Sequence, residues 1–322
     1  MNAGLPGSTV SVVIPMHNGL PHIADALQSV QWQTQAAHEV IVVDDGSTDG
    51  SAEWVQQHYP HVKLLRQQQQ GIAATRNRGI SAATGDWVAF LDHDDAWHPG
   101  KLQVQLQAAS RHPDASVVYG DFQRWLPDAE GRHVCPHEWT PPGATDPSLA
   151  AEPVCAWSYS DFLLDCWMQT STAMIRRNTL VQSGAFDPTW PTGEDWDLWL
   201  RLCRLTRFVH IPLAVSLYRQ HPQQSTRQQL PTVDYRTRLI EQAIRQWGYT
   251  NPDGSGAAPA IVRRKLSTYH WEFGASHLAA GHRGTFYPAM AAAISTDPTF
   301  HKPYFYGLAA LMGWRPKWGK RI

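Results

Sequence analysis

Apolar, β-branched runs that alternate with helical segments are the feature of this 322-residue sequence that most restricts its fold. Nearly continuous apolar runs are typical of parallel strands buried on both faces, and helical spacing of apolar side chains marks the segments between them. The alternation predicts an α/β fold with a mostly parallel, Rossmann-like sheet flanked by helices. The predicted strands are residues 9–15, 39–43, 62–65, 85–91 and 115–119, and the predicted helices between them are residues 20–32, 71–83 and 99–110.

The predicted strand at residues 85–91 ends in a cluster of three carboxylates, Asp92, Asp94 and Asp95. Like charges at close range raise one another's pKa, so a site that keeps them ionised usually supplies a cation. Oxygen ligands favour Mg²⁺ or Mn²⁺, and Mg²⁺ is commonly held by one or two carboxylates together with substrate phosphates. A turn with a helix cap before Pro99 is the alternative, and it explains one carboxylate better than three.

Other polar side chains also follow the ends of predicted strands. Residues 15–18, the acidic segment 44–50 and Asp121 each come directly after a strand. Ligands of doubly wound sheets bind outside the carboxyl ends of the strands. The sequence therefore places its acids along one edge of the sheet, although a turn with a helix N-cap would explain segment 44–50 taken alone.

The chain after residue 121 carries a second acidic element. Residues 126–153 are rich in Pro, Gly, Asp and His and predict a long loop, whereas residues 172–175 and 208–218 predict further strands. Glu194 and Asp195 precede helical spacing up to residue 202. Acids in a first helical turn complement the helix dipole, so a purely structural role is the alternative to a catalytic one.

From residue 232 onward the pattern is helical, which predicts a helical C-terminal region at residues 226–322 after a main domain at residues 1–225. Five Lys and Arg residues and no acid follow Asp297, and they are interleaved with aromatic residues. This composition suits a peripheral contact with a membrane surface. Packing of the same aromatic side chains against the main domain is the alternative.

Composition excludes some classes of protein. A net charge of -1 and a pI near 7.0 provide no basic field, which argues against nucleic acid as a partner. The four cysteines form no Cys-x-x-Cys pair and residues 1–9 lack the features of a signal peptide, so we expect a cytoplasmic location. No apolar run approaches the roughly 20 residues that span a bilayer.

Five short motifs occur in a fixed order between residues 9 and 221. In this order they resemble the family 2 glycosyltransferases, which have the GT-A fold and include bacterial polysaccharide and lipopolysaccharide enzymes. The resemblance implies a GT-A catalytic domain at residues 1–225, with a nucleotide-sugar half at about 1–121 and an acceptor half at about 122–225. The motifs are Val12-Val13-Ile14-Pro15-x-x-Asn18, Val43-Asp44-Asp45-Gly46-Ser47, Gly71-x-x-x-x-Arg76-Asn77-x-Gly79, Phe90-Leu91-Asp92-x-Asp94-Asp95 and Gly193-Glu194-Asp195.

The resemblance implies a donor site for a nucleoside-diphosphate sugar. Pro15 and Asp45 would line the nucleotide pocket, and Arg76 would lie near the base and the diphosphate. Asp94 would bind a divalent Mn²⁺ or Mg²⁺ directly, while Asp92 would contact the ribose or the water shell of the metal. This division leaves Asp95 to cap the next helix. His17 and His93 stand at variable positions of these motifs, so the nucleotide preference stays open.

On the acceptor side, the resemblance implies that Asp195 is the general base and that Glu194 helps to place the acceptor. Arg219 and His221 match a segment that closes over the diphosphate. The position of residues 169–172, between the sheet and the base, suggests contacts with the acceptor.

The resemblance implies an inverting, metal-dependent transfer of a sugar to a hydroxyl of a glycan or lipid-linked acceptor. The basic and aromatic C-terminal segment suggests that the protein works in the cytoplasm at the inner face of the membrane. The main alternative is a non-catalytic module that binds nucleotide sugars or carbohydrates. A metal-dependent phosphatase is another, but it would place its Asp-x-Asp pair on the first strand, with a hydroxyl residue where Ala96 stands here.

Overall fold

The computed structural model describes residues 8–133, 152–222, 224 and 230–316. These residues form two compact units. One unit comprises the chain up to Ser158 together with Cys166–Gln220, and the other comprises Tyr159–Asp165 together with the chain from His221 onward. The chain thus enters the second unit twice, whereas the sequence suggests one boundary at residue 225. The division of the first unit into donor and acceptor halves stays a prediction.

The first unit is built on a nine-stranded sheet. Its strands are β1 Val10–Met16, β2 Glu39–Asp45, β3 Lys63–Gln67, β4 Trp87–Phe90, β5 Ala96–Trp97, β6 Ala115–Trp125, β7 Val154–Ala156, β8 Met174–Arg176 and β9 Arg207–Arg219. They lie in the order β3-β2-β1-β4-β8-β6-β9-β5, and β7 pairs with β9. All seven residues of the central strand β1 are buried, which explains its continuous apolar sequence.

The two halves of the sheet differ in strand direction. Strands β3, β2, β1 and β4 are parallel neighbours, which is the predicted Rossmann-like arrangement. Strand β8 runs antiparallel to β4 and β6, and β5 and β7 run antiparallel to β9, while β6 and β9 are parallel. The predicted α/β fold of the GT-A type is confirmed, with a mixed second half. Strands β5 and β7 were not predicted because two or three residues are too few to show a period.

Helices flank this sheet, and a 3₁₀ turn precedes β8. The helices are α1 Ile23–Gln31, α2 Ser51–His58, α3 Ile72–Ala82, α4 Lys101–Arg111, α6 Arg177–Gln182 and α7 Glu194–Leu202, and the 3₁₀ turn is Thr170–Thr172. Helix α2 was not predicted, because it buries only Ser51, Ala52 and Val55 and so shows little apolar spacing. Helix α3 lies so close to β1 that an added Cβ at Gly79 would overlap Val13 Cγ1.

The second unit is helical, as predicted for the C-terminal region. Its core is an aromatic and aliphatic cluster that includes Trp271, Leu278, Phe286 and Met290. Among the described residues, none of the helices combines the length and the apolar character that crossing a membrane requires. The helices of this unit are α5 Tyr159–Phe162, α8 Tyr235–Trp247, α9 Pro259–Ala279, α10 Arg283–Thr296 and α11 Lys302–Leu311.

Candidate active site

The loops after β1 and β2 are joined at the carboxyl edge of the sheet. Strands β1 and β2 are in parallel register, with Pro15 opposite Val43, so their ends meet at the same level. Asn18 N donates to Ser47 Oγ at 2.8 Å, and Thr48 N donates to Asn18 Oδ1 at 2.9 Å. The structure therefore brings the first two motifs together, and Pro15 is buried within β1.

Asp45 holds the loop that leads into α3. Its Oδ1 accepts hydrogen bonds from Gln67 Nε2 at 2.7 Å and from Gln70 N at 2.8 Å, and its Oδ2 accepts from Gly71 N at 2.8 Å. Gly71 has a φ of 90°, a conformation that favours glycine. This carboxylate thus fixes the start of the helix that carries Arg76, while its role towards a nucleotide stays a prediction.

Arg76 connects two acidic motifs that are far apart in the sequence. Its Nη2 donates to Asp92 Oδ1 and its Nη1 donates to Glu194 Oε1, both at 2.7 Å. The side chain is 4% exposed and lies over the ring of Phe186. Burial alone would lower the pKa of Arg76, but the charges of Asp92 and Glu194 raise it above its ordinary value. Arg76 is therefore a permanent cation between the Asp-x-Asp motif and the Gly-Glu-Asp motif.

Asn77, the next residue, positions the segment before α7. Its Nδ2 donates to Phe186 O at 2.7 Å, and its Oδ1 accepts from Phe186 N at 2.9 Å. A side-chain amide that satisfies both backbone groups of one residue fixes that residue as a neighbouring strand would. Asn77 thus holds α3 to the chain around Phe186, and the neighbouring Arg76 holds α3 to Glu194 at the start of α7.

Asp195 lies in the first turn of α7 and is partly buried. Its Oδ1 accepts from Trp196 N at 2.7 Å, and Thr170 Oγ1 donates to its Oδ2 at 3.5 Å. Burial, followed by the charge of Glu194, raises the pKa of Asp195 to about 7, against the opposing charge of Arg76. A carboxyl whose pKa lies near neutral pH is suited to accept a proton from a substrate.

The acids of α7 have different partners, which bears on the helix-dipole alternative. Asp197 pairs with Arg201 within the helix, with a distance of 2.6 Å between Oδ2 and Nη2. Glu194 instead accepts from Arg76 of another helix. The preference of acidic residues for the first turn of a helix does not explain why Glu194 pairs with a residue of another helix. The contact with Arg76 therefore favours a role for Glu194 in the site.

Asp95 follows the Asp-x-Asp motif directly, is buried and accepts hydrogen bonds from distant parts of the chain. Its Oδ2 accepts from Ser171 Oγ at 2.6 Å and from Gln169 Nε2 at 3.2 Å, and its Oδ1 accepts from Arg219 N at 3.1 Å. Burial, followed by the charges of Asp94 and Asp92, raises the pKa of Asp95 well above its ordinary value. The expectation that Asp95 caps the next helix is wrong, because α4 follows Gly100 and has no side-chain cap.

Ser171 and Arg219 hold the backbone of the Asp-x-Asp motif from both ends. Asp92 N donates to Ser171 Oγ at 3.1 Å, and Arg219 Nε donates to Asp94 O at 2.7 Å. Arg219 is buried, lies over the ring of Trp125 and pairs with Asp25 at 2.5 Å. The structure thus places Arg219 against the backbone of the motif. Its contact with a diphosphate stays a prediction, as does that of His221, which belongs to the second unit.

The 3₁₀ turn at Thr170–Thr172 carries side chains whose partners the sequence did not identify. Its carbonyl groups are held by buried donors: Trp97 Nε1 donates to Ser171 O at 2.7 Å, and Gln105 Nε2 donates to Thr172 O at 2.8 Å. The turn therefore contacts Asp92, Asp95 and Asp195 from a fixed position. The sequence Gln-Thr-Ser-Thr has no periodicity that could have revealed this role.

The role of Asp92 and Asp94 as ligands of a divalent cation stays a prediction, although carboxylate oxygens are the ligand type that such a cation prefers. Within the described part of the chain, no group of three or more His, Cys, Asp and Glu side chains could hold a metal ion. One oxygen of Asp92 already accepts from Arg76. Two carboxylates fit Mg²⁺ or Mn²⁺ when the other ligands are diphosphate oxygens and water, as is usual for Mg²⁺ at phosphate-binding sites.

A parallel half-sheet with acids along its carboxyl edge, and with two acidic motifs joined by an arginine, is the arrangement of a GT-A-type protein. The solved structure of S. aureus TarS 1-349 has a TM-score of 0.64 with this chain, 19% sequence identity, and a match over 90% of this chain and 81% of TarS. The same protein has been solved in complex with UDP-GlcNAc. At this identity, the likeness shows the fold.

The sequence comparisons give the family. The family model described as Glycosyl transferase family 2 matches residues 11–141. The amylovoran biosynthesis glycosyltransferase AmsB of Erwinia amylovora is 32% identical over 220 residues, which cover 65% of this chain and 68% of AmsB. The chain belongs to glycosyltransferase family 2.

Other relatives match over a smaller part of their length. The uncharacterized glycosyltransferase YibD of Escherichia coli K12 is 44% identical over 103 residues, which cover 31% of this chain and 30% of YibD. An uncharacterized glycosyltransferase of Rickettsia felis is 27% identical over 202 residues, or 61% of this chain and 31% of that protein. The chain thus spans less than a third of the length of these two relatives.

Proposed function

We propose that this protein is an inverting, metal-dependent glycosyltransferase. It transfers a sugar from a nucleoside-diphosphate sugar to a hydroxyl of a glycan or lipid-linked acceptor. The bridge that Arg76 makes between Asp92 and Glu194 carries this proposal, because it joins the metal-binding motif and the motif of the base in one site. The name of AmsB supports a place in polysaccharide biosynthesis, and the UDP-GlcNAc complex of TarS supports a nucleotide-sugar donor.

The donor is held at the carboxyl edge of the sheet. Pro15 and Asp45 line the nucleotide pocket, and Arg76 supplies positive charge beside the diphosphate. Asp94, with Asp92, would hold a Mn²⁺ or Mg²⁺ ion, which would supply positive charge to the leaving nucleoside diphosphate. We assign Arg219 to the diphosphate side of the pocket, and we keep His221, two residues further along the chain, as a second candidate for a diphosphate contact.

Asp195 accepts the proton of the attacking hydroxyl. A base with a pKa of about 7 is ionised in a large fraction of molecules at neutral pH and still binds a proton well. Thr170, whose hydroxyl lies 3.5 Å from Oδ2, keeps the carboxylate oriented. Glu194 helps to place the acceptor. Attack from the side opposite to the leaving group inverts the anomeric carbon without a covalent glycosyl-enzyme.

We place this reaction at the cytoplasmic face of the membrane, where a lipid-linked acceptor is available. The basic and aromatic composition of the chain after Asp297 supports this location.

The first experiment is a panel of nucleotide sugars, tested for Mn²⁺-dependent hydrolysis by the purified protein, followed by the same assay with Asp195→Asn. We expect the variant to lose turnover while its affinity for the nucleoside diphosphate, measured by calorimetry, stays within about twofold. Glu53→Gln is the matched control, because Glu53 is an exposed acid on α2 that pairs with Arg66 outside the site, and this variant should keep full turnover.

Two outcomes would contradict the proposal. Near-normal turnover of Asp195→Asn would remove the assigned base. Binding of nucleotide sugars by the wild-type protein without turnover of any of them, with acceptor extracts present, would indicate a non-catalytic binding module.

A further inference from the structure

Helix α11 presents an apolar surface to solvent. Its exposed residues after Lys302 are Tyr304, Phe305, Leu308 and Leu311, and Met312 follows at the C-cap. Phe305 is 63% exposed, Leu308 64%, Leu311 71% and Met312 82%. An ordinary surface helix carries polar side chains on this face. We call these five residues the α11 face.

The opposite side of α11 is already packed. Pro303, Ala309 and Ala310 are buried, and Ala310 belongs to the aromatic core cluster of the second unit. The helix is thus apolar on both sides, a property typical of helices that are buried or in contact with lipid. Because the inner side fixes the helix to its own unit, the α11 face has a defined position in that unit.

Trp314 extends the α11 face and anchors it. The helix ends before Gly313, whose φ is 87°, and Trp314 N donates to Ala309 O at 2.9 Å. The Trp314 ring then packs against Tyr306 and Phe305, with centroid distances of 5.2 and 6.3 Å. Aromatic side chains with one polar atom favour the boundary between water and lipid.

Charge decides among the partners that could cover this face. Exposed Lys302 and Arg315 stand at the two ends of the helix, and five Lys and Arg residues but no acid follow Asp297 in the sequence. A second copy of the chain would bring the same positive charges together, which opposes association. An anionic lipid surface complements them, because it attracts basic side chains that lie near the surface.

The length of α11 fixes how it would meet the membrane. Its 10 residues extend about 15 Å, half of the roughly 30 Å hydrocarbon core. We propose that the α11 face is a membrane-docking surface that lies in the headgroup region of an anionic bilayer, with Phe305, Leu308 and Leu311 inserted. This inference rests on the lipid-linked acceptor in the proposed function and names the surface that brings the enzyme to it.

Vesicle co-sedimentation of the full chain tests the proposal without any donor sugar, so its outcome is separate from that of the transferase assay. We expect binding to phosphatidylglycerol-containing vesicles and about tenfold weaker binding to pure phosphatidylcholine. The double variant Leu308→Gln/Leu311→Gln should weaken the binding by about tenfold or more. Lys302→Glu/Arg315→Glu should lose binding and its dependence on salt.

The control is Val181→Gln/Leu205→Gln, which changes two exposed apolar residues of the first unit and should bind like the wild type. Binding to anionic vesicles that is absent, or that the α11 variants leave unchanged, would overturn the proposal. A wild-type dimer in solution that Leu308→Gln/Leu311→Gln converts to a monomer would overturn it as well, because the α11 face would then be an interface between two copies.

Discussion

Replacing Glu194 by Gln should shift the acid limb of the pH dependence of kcat/KM to lower pH. Asp195 works as a base only when it is ionised, and its pKa is raised to about 7, so activity rises with pH through about 7. After burial, the charge of Glu194 is the largest cause of this shift. Removing that charge lowers the pKa of Asp195, and the ionised, active fraction at low pH increases.

The substitution Glu194→Gln preserves the contacts around the removed charge. The amide oxygen of the new side chain can still accept from Arg76 Nη1, which donates to Glu194 at 2.7 Å in the wild type. Arg76 keeps its pair with Asp92 and its attraction for the ionised form of Asp195. The loss of the negative charge and the retained attraction of Arg76 both favour the ionised form, so the pKa of Asp195 falls.

The size of the shift follows from the site. A charge close to a buried carboxyl shifts its pKa by about 1 to 3 units, and the partial exposure of Asp195 favours the lower end. A fall of about one unit, or about 1.4 kcal/mol, would raise the ionised fraction at pH 6 from roughly 10% to roughly 50%. We therefore expect kcat/KM at pH 6, relative to its plateau, to increase about fivefold.

The assay is the pH dependence of kcat/KM between pH 5 and 9 with the donor selected from the panel, and with circular dichroism as a check that the protein is folded. Glu53→Gln is the matched control, since Glu53 also pairs with an arginine at 2.7 Å but lies exposed on α2. It should leave the profile unchanged. A midpoint for Glu194→Gln that stays at the wild-type value, or rises, would refute Asp195 as the titrating base.

Three further predictions concern other parts of the first unit. Asp94→Ala should abolish the Mn²⁺-dependent part of nucleoside-diphosphate affinity in calorimetry, and an unchanged Mn²⁺ dependence would remove Asp94 as a ligand. Ser171→Ala should lose about 1 to 3 kcal/mol of stability and weaken Mn²⁺-dependent binding, whereas Ser29→Ala, another buried serine that accepts a backbone N–H, should lose stability alone. Gly79→Ala should lower the free energy of unfolding in denaturant by about 1 to 3 kcal/mol, because the added Cβ would overlap Val13. Gly284→Ala is the control and should be nearly neutral, because Gly284 has open space around it. Equal stability of the two variants would contradict the close approach of α3 to β1.

The sequence predicted the parallel half of the sheet well because that half depends on local pattern. Strands β1, β2 and β4 are fully or largely buried, so their apolar runs are continuous. Strand β7 has three residues, one of them exposed, and it is held by its pairing with β9. Because β7 is stabilised by its pairing with β9, its own residues do not show the alternation of apolar and polar side chains that would predict a strand.

The site was predicted as a set of residues, but its connections were not. Arg76 was expected near the nucleotide, and nothing in its local sequence indicates that it also pairs with Glu194, 118 residues away. The sequence assigns Asp95 to a helix cap because Pro99 follows it, whereas its hydrogen bonds with Ser171 and the backbone of Arg219 determine its role in the structure. Contacts of this kind depend on how distant elements pack together, and a short sequence motif does not predict that packing.

The excursion of Tyr159–Asp165 into the second unit limits how the two units can be separated or exchanged. Tyr159 is fully buried there, and its hydroxyl lies within hydrogen-bond distance of Ala243 O at 3.1 Å and of Gly248 O at 2.9 Å. A truncation after residue 220 would strip these partners from a segment that also contains buried Phe162 and Leu163. A chimera that carries the helical region onto a related catalytic unit must therefore transplant two segments together, because a single junction near residue 220 would leave each product with an incomplete core.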